Sequence, residues 1–226
     1  MTIPTVALAT FAAQVVPIHA PGEMYSLPER RRMVARYAEC VVKLRPTAST
    51  RVVLNRATDR DREHARLSTC IGERNLMLYM SVSLEQFALA EALIRAEGLT
   101  LPPDLSTVPP LDHGNGRALV LAVLAKGTAA TADEKYGALE AASNSELSRF
   151  GECVVRKNPK GASALLQTGV ATVGEDKVFS NLSPTLASCL DKGQSITFSQ
   201  DALRGTIALN FYRLAVSGQQ SAAKAN

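Results

Sequence analysis

Tryptophan is absent from this chain of 226 residues, and aromatic residues make up only 5% of it. That scarcity argues against an aromatic-lined sugar groove or a stacking platform for single-stranded nucleic acid. Histidine is almost as rare, represented by His19, His64 and His113 alone. No H-E-x-x-H, Walker loop or G-x-S-x-G is spelled anywhere, so the signatures of zinc proteases, P-loop enzymes and α/β-hydrolases are missing. Gly114-x-Gly116 lacks the third glycine and the preceding strand of a dinucleotide fingerprint. The S-x-x-K spelled by Ser221 and Lys224 lies in the polar C-terminal segment and is a match in spelling alone. No close C-x-x-C pair exists, which argues against a structural zinc site. No motif calls for a cofactor. No segment far from the start has the ~20 apolar residues of a membrane helix, so no transmembrane segment is expected.

Charge is present but mild: 25 basic against 21 acidic residues give a net +4. The densest basic runs are Arg30-Arg31-Arg32 and residues 56–66. The second is interleaved with Asp59, Asp61 and Glu63. Alternating signs at helical spacing mark a solvated helix face rather than a phosphate track, so nucleic acid is not an expected partner. Hydrophobic residues at 46% are ordinary for a globular chain, and the length suffices for a real core.

One block occurs twice. Arg36-Tyr37-Ala38-Glu39-Cys40-Val41-Val42-Lys43 returns as Arg149-Phe150-Gly151-Glu152-Cys153-Val154-Val155-Arg156. Pro46 and Pro159 each stand six residues after the cysteine, and a second cysteine follows in each copy, Cys70 and Cys189. The pattern predicts a mainly α-helical protein of two homologous repeats, residues 21–98 and 146–216, packed with pseudo-twofold symmetry. A connecting segment, 99–145, joins them, and 217–226 reads as a flexible tail.

Within the first repeat, Met33, Tyr37, Cys40 and Leu44 fall on one face of an amphipathic helix that must stop before Pro46. Leu147, Phe150, Cys153 and Val154 form the matching face, closed by Pro159. A short helix follows each, at 47–57 and 162–167. A third helix near 59–71 carries Cys70, and its counterpart ends at Cys189. The extra residues of the second copy fall in a loop at 169–176. Extended pieces at 76–79 and 195–198 precede the longest helices, with Ser83 and Ser199 as N-caps. In the connecting segment, Pro102, Pro103, Pro109 and Pro110 stiffen a loop. Residues 118–125 are apolar, a buried helix or a strand that periodicity cannot tell apart.

Four cysteines allow three pairings. The duplication selects Cys40–Cys70 and Cys153–Cys189, one staple per copy. Each closes a loop worth on the order of 3–4 kcal/mol in the chain-entropy model. Free buried thiols and a four-cysteine metal site are the alternatives. A reactive thiol needs a cationic neighbourhood, whereas Cys40 and Cys153 each follow a glutamate on an apolar face.

Residues 6–16 are apolar and 17–20 end on Ala20, so 1–20 reads as a signal peptide, although no Lys or Arg precedes the apolar run and Pro21 follows it. The alternative is an apolar arm packed on the domain. Disulfides and a signal peptide agree on a periplasmic or secreted location.

Candidate ligand-binding residues are Asp112, His113, Asn115 and Arg117, together with Arg95 and Arg213. Asp112 beside His113 could orient an imidazole for acid–base work. The same cluster also has the composition of a plain turn. Arg95 and Arg213 occupy equivalent places near the ends of the long helices, as Glu39 and Glu152 do on the first helices. An Arg–Glu salt bridge within each copy is the simpler expectation, and a ligand cleft at the pseudo-twofold the sharper one. No residue is assigned as catalytic.

With its E-C-V-V-[KR] block, trailing proline, second cysteine and closing long helix, the chain resembles uncharacterised, internally duplicated exported proteins of Gram-negative bacteria. The resemblance covers residues 33–97 and 146–215. It implies an envelope location and no catalytic residue. The expected function is a non-enzymatic exported envelope protein that binds a protein partner or a small molecule. The alternatives are a hydrolase-like enzyme with a site around His113, and nucleic-acid binding through a basic face.

Overall fold

The computed structural model describes residues 26–61, 68–70, 82–191 and 199–225. The expected signal peptide at 1–20, the expected extended pieces at 76–79 and 195–198, and most of the expected third helix lie outside the described residues. What is described is mainly helical, with no strand. The helices are α1 (Leu27–Leu44), α2 (Pro46–Val53), α3 (Val82–Glu97), α4 (Gly116–Ala125), α5 (Ala132–Lys157), α6 (Pro159–Gln167), α7 (Val173–Ser188) and α8 (Gln200–Ala225).

Local chemistry sets these boundaries. Ser26 and Glu29 form a capping box that starts α1. The chain leaves the helical region at Arg45, with φ −141° and ψ 56°, and Pro46 opens α2. Asn158 has nearly the same backbone, φ −140° and ψ 69°, and Pro159 opens α6. Thr131 and Glu134 box the start of α5. Thr172 accepts from the Glu175 amide and starts α7 at Val173, so the expected loop at 169–176 is half as long as its Gly and Thr content suggested.

Three further expectations need correction. Ser83 is not an N-cap; it lies inside α3, and its hydroxyl donates to Asn144 Oδ1 at 2.8 Å. Ser199 does accept from the Ala202 amide at 3.2 Å, at the start of α8. Residues 118–125 are helical but not buried. In α4 only Gly116 is fully covered, and Leu119, Leu121 and Leu124 are exposed. Residues 217–225 continue α8 as helix instead of leaving it as a tail.

Helix α8 runs through the middle of the molecule. Every residue from 202 to 215 is buried, as expected of a helix covered on all sides. It packs on α3 and α5. Outside these, α1 and α2 lie on α3, α4 lies on α5, and α6 packs on α7 and α8. Gly151 permits the α5–α8 approach: a Cβ there would sit 2.5 Å from Asn210 Nδ2 and 2.6 Å from Thr206 O.

Both disulfides are formed, Cys40–Cys70 and Cys153–Cys189, with Cα atoms 5.6 and 5.8 Å apart. A buried ionic network joins four helices. Glu175, fully buried on α7, accepts from Arg31 of α1 and from Arg204 of α8, each at 2.8 Å. Arg204 also meets Glu91 of α3 at 2.7 Å. Arg31 closes the set on Asp201. Arg31 is therefore an interior residue, not part of a solvated basic face.

Candidate functional site

The site is built where the proline-rich connection returns to the bundle. Leu105 and Val108 are buried and anchor that connection. Arg156 of α5 fixes its backbone, donating to the carbonyls of Leu105, Val108 and Pro109 at 2.5, 3.1 and 2.8 Å. One turn earlier on α5, Glu152 accepts from Arg156 Nε at 2.6 Å and from the Leu111 amide at 3.2 Å. A further turn back stands Ser148. The i, i+4, i+8 spacing of Ser148, Glu152 and Arg156 puts all three on one face of α5.

His113 bridges the first two. Its Nε2 lies 2.6 Å from Glu152 Oε2, and its Nδ1 lies 2.8 Å from Ser148 Oγ. Burial pushes the Glu152 carboxyl upward. The hydrogen bonds from His113, Arg156 and Leu111 outweigh that and hold it below the usual carboxylate range. Glu152 is therefore an ionised acceptor, and a neutral His113 must carry its proton on Nε2. Nδ1 is then the acceptor, and the Ser148 hydroxyl donates to it. Asn210 Oδ1 lies 3.4 Å from the same hydroxyl.

Beyond His113 the chain makes a tight turn. Asp112 Oδ1 accepts from the Gly114 amide at 2.8 Å, and Gly114 has φ +74°, a conformation that favours glycine. Gly116 then packs directly against the Ala141 and Ala142 backbone, where no Cβ fits. This places the start of α4 over the N-terminal half of α5.

Between this turn and helices α3, α5 and α8 is a cavity of about 220 Å³. Its wall includes His113, Asn115, Ser148, Asn144, Gln86 and Arg213. Arg213 is only 8% exposed. Its Nε donates to Val53 O, at the C-terminal end of α2, at 2.9 Å. Its two terminal nitrogens make no hydrogen bond among the described residues. Burial lowers its pKa to about 10, and the nearby charge of Asp112 opposes the drop without a hydrogen bond between them. No group of three or more His, Cys, Asp or Glu side chains among the described residues could hold a metal ion.

Of the residues singled out in the sequence, His113, Asn115 and Arg213 therefore meet at one cavity, with Asp112 beside them. Arg117 does not join; it is exposed on α4. Arg95 belongs elsewhere, paired with Glu91 at 2.6 Å and Glu39 at 3.3 Å and donating to Thr168 O. The expected Glu39–Arg95 bridge thus exists. Its expected counterpart does not, because Glu152 faces His113 and Arg156 while Arg213 faces Val53. Nor does Arg213 close its helix, since α8 continues to Ala225. Sequence reasoning missed Ser148, Asn144 and Gln86. Only the helical spacing of Ser148 from Glu152 hinted at the first.

Comparison with protein-family models, with curated proteins and with solved structures finds no match to this chain.

Proposed function

We propose that this is an exported envelope protein, made of two homologous disulfide-stapled halves, that binds a small ligand without chemically changing it. The observation that carries this reading is the cavity walled by the buried Arg213 guanidinium, whose terminal nitrogens have no acceptor among the described residues. Pockets with a few convergent polar groups are the usual sites of small-molecule binding. Export rests on the apolar start and on the two disulfides, which persist outside the cytosol. Duplication rests on the repeated block and on the matching Arg45-Pro46 and Asn158-Pro159 breaks.

The test is to purify the protein from its native envelope fraction, denature it and analyse the released small molecules by mass spectrometry. A stoichiometric compound is expected from the wild type and none from Asn144→Trp, which fills the cavity. Absence of any compound from the wild type counts against the reading. The intact mass of the same sample reports on export, since a leaderless, oxidised chain is expected.

A second reading, a serine hydrolase, is favoured by the Ser148–His113–Glu152 relay, which could draw a proton from the serine hydroxyl. Against it, Ser148 lies in the interior of α5, where the following amides are committed to the helix. A backbone oxyanion hole like that of a nucleophile at a helix start is therefore lacking. Ester turnover that disappears in Ser148→Ala would establish the enzyme. The binding reading expects no turnover from either protein.

A further inference from the structure

We propose that the ligand is a small monocarboxylate whose carboxyl group is gripped by Arg213, with a compact, uncharged remainder filling the rest of the cavity. This assignment rests on the ligand-binding reading above and names its chemistry. Four observations carry it.

First, Arg213 brings a positive charge into the interior with no carboxylate bonded to it. The other two buried arginines, Arg31 and Arg204, each hold at least two acidic or carboxylate-rich partners. The Arg213 side chain is largely covered, and its terminal nitrogens, which lack a protein acceptor among the described residues, are left to the cavity, where a bound anion can meet them. Second, Nε is already fixed on Val53 O. The guanidinium plane is therefore held, and the terminal nitrogens present the paired donors that suit a planar carboxylate.

Third, the surrounding charges limit the ligand to a single negative charge. Asp112 lies near the guanidinium, and ionised Glu152 stands behind His113. Arg156 already neutralises Glu152, so Arg213 with Asp112 beside it offers at most one positive charge, which suits a monoanion better than a dianion such as phosphate. Fourth, the remaining wall is mixed. Ser83 already donates to Asn144 Oδ1, and Gln86 Nε2 donates to Asn55 Oδ1 at 2.7 Å. The amide nitrogens of Asn144 and Asn55 thus remain as donors, while Phe87, Leu119 and Leu209 supply apolar surface. The volume of about 220 Å³ exceeds the roughly 150 Å³ that accommodates benzene in an engineered cavity, so an acid of benzoate size fits.

The test is calorimetric titration of the full oxidised protein with acetate, butyrate and benzoate, with the matching amides, and with phosphate and sulfate. At least one of the three carboxylates is expected to bind with a Kd of about 1 mM or tighter. Its amide should bind at least about tenfold more weakly, as should phosphate and sulfate. Arg213→Gln should remove the preference for acid over amide. If that variant fails to fold, Asn144→Asp provides the alternative, since its added negative charge beside the site should weaken the acid at least about tenfold more than it weakens the amide. Amides binding as well as acids would overturn the carboxylate assignment and leave the cavity reading standing. Tighter binding of phosphate or sulfate would also overturn it. Silence from every acid, amide and salt would overturn both.

Discussion

His113 Nε2 lies 2.6 Å from Glu152 Oε2, and that contact ties the proline-rich connection to the helix carrying the second repeated block. The same carboxylate takes Arg156 and the Leu111 amide. One side chain therefore holds the imidazole, the loop backbone and the cation that clamps the prolines.

Replacement of Glu152 by glutamine is expected to lower stability by about 2–3 kcal/mol, because Arg156 and His113 lose a charged acceptor. Urea unfolding measures the loss. Hydrogen exchange should quicken over residues 105–115 before it does in α8. A uniform change across the chain would contradict the assignment of Glu152 as the local clamp.

The same carboxylate gives a pH signature. Its folded-state pKa is depressed, by hydrogen bonds that exceed the opposing effect of burial. Its contribution is therefore present above the unfolded value of about 4.3 and is lost as pH falls through the lower folded value. Wild-type stability should drop across that acid window more steeply than that of Glu152→Gln. Parallel curves from pH 6 down to pH 2 would rule this out, on the ordinary range of carboxylate titration.

Glu175 is the shared anion of Arg31 and Arg204 and has no exposed surface. Glu175→Gln leaves two buried cations short of a counter-charge, with an expected cost of about 3–5 kcal/mol. Calorimetric melting should show a large fall in Tm. Arg95→Ala, on a half-exposed member of the adjoining set, should cost about 1 kcal/mol or less.

Two glycines of α5 should respond in opposite directions. Gly151→Ala drives a methyl against Asn210 and Thr206 of α8 and should destabilise by about 1–3 kcal/mol. Gly137→Ala meets nothing within 4 Å and should stabilise by roughly 0.5–1 kcal/mol through helix propensity. Chemical denaturation of the two variants compares them directly.

Each disulfide closes a loop, with cysteines 30 and 36 positions apart. Removing either pair by double serine substitution should cost about 3–4 kcal/mol in the loop-entropy account. Guanidinium unfolding of the two double variants should show similar losses, the second slightly larger.

Much of the helical frame was legible because its signals are local. Pro46 and Pro159 stop a helix wherever they stand, and the apolar spacing around Cys40 and Cys153 marks a buried face without reference to any partner. The cysteine pairing was legible because the block recurs. The same logic misled when it was extended to ion pairs. Glu39 does meet Arg95, yet Glu152, its sequence equivalent, meets His113 and Arg156. An ion pair depends on what else approaches the side chain, and the connecting segment approaches only one of the two glutamates.

Position along the chain also misjudged α4 and the end of α8. Apolar composition suggested burial for 118–125, but a helix with α5 as its main neighbour leaves most of its surface to solvent. What the amino-acid sequence determined by itself is the helical class, the stops and caps, and a staple for each repeated block, all consequences of short-range sterics and of a block spelled twice. Only the tertiary structure decided that His113, Ser148 and Glu152 share a proton-bearing contact and that Arg213 lines a cavity. Those residues come from three distant stretches of chain, which only the packing of α3, α5 and α8 with the connecting segment brings to one wall.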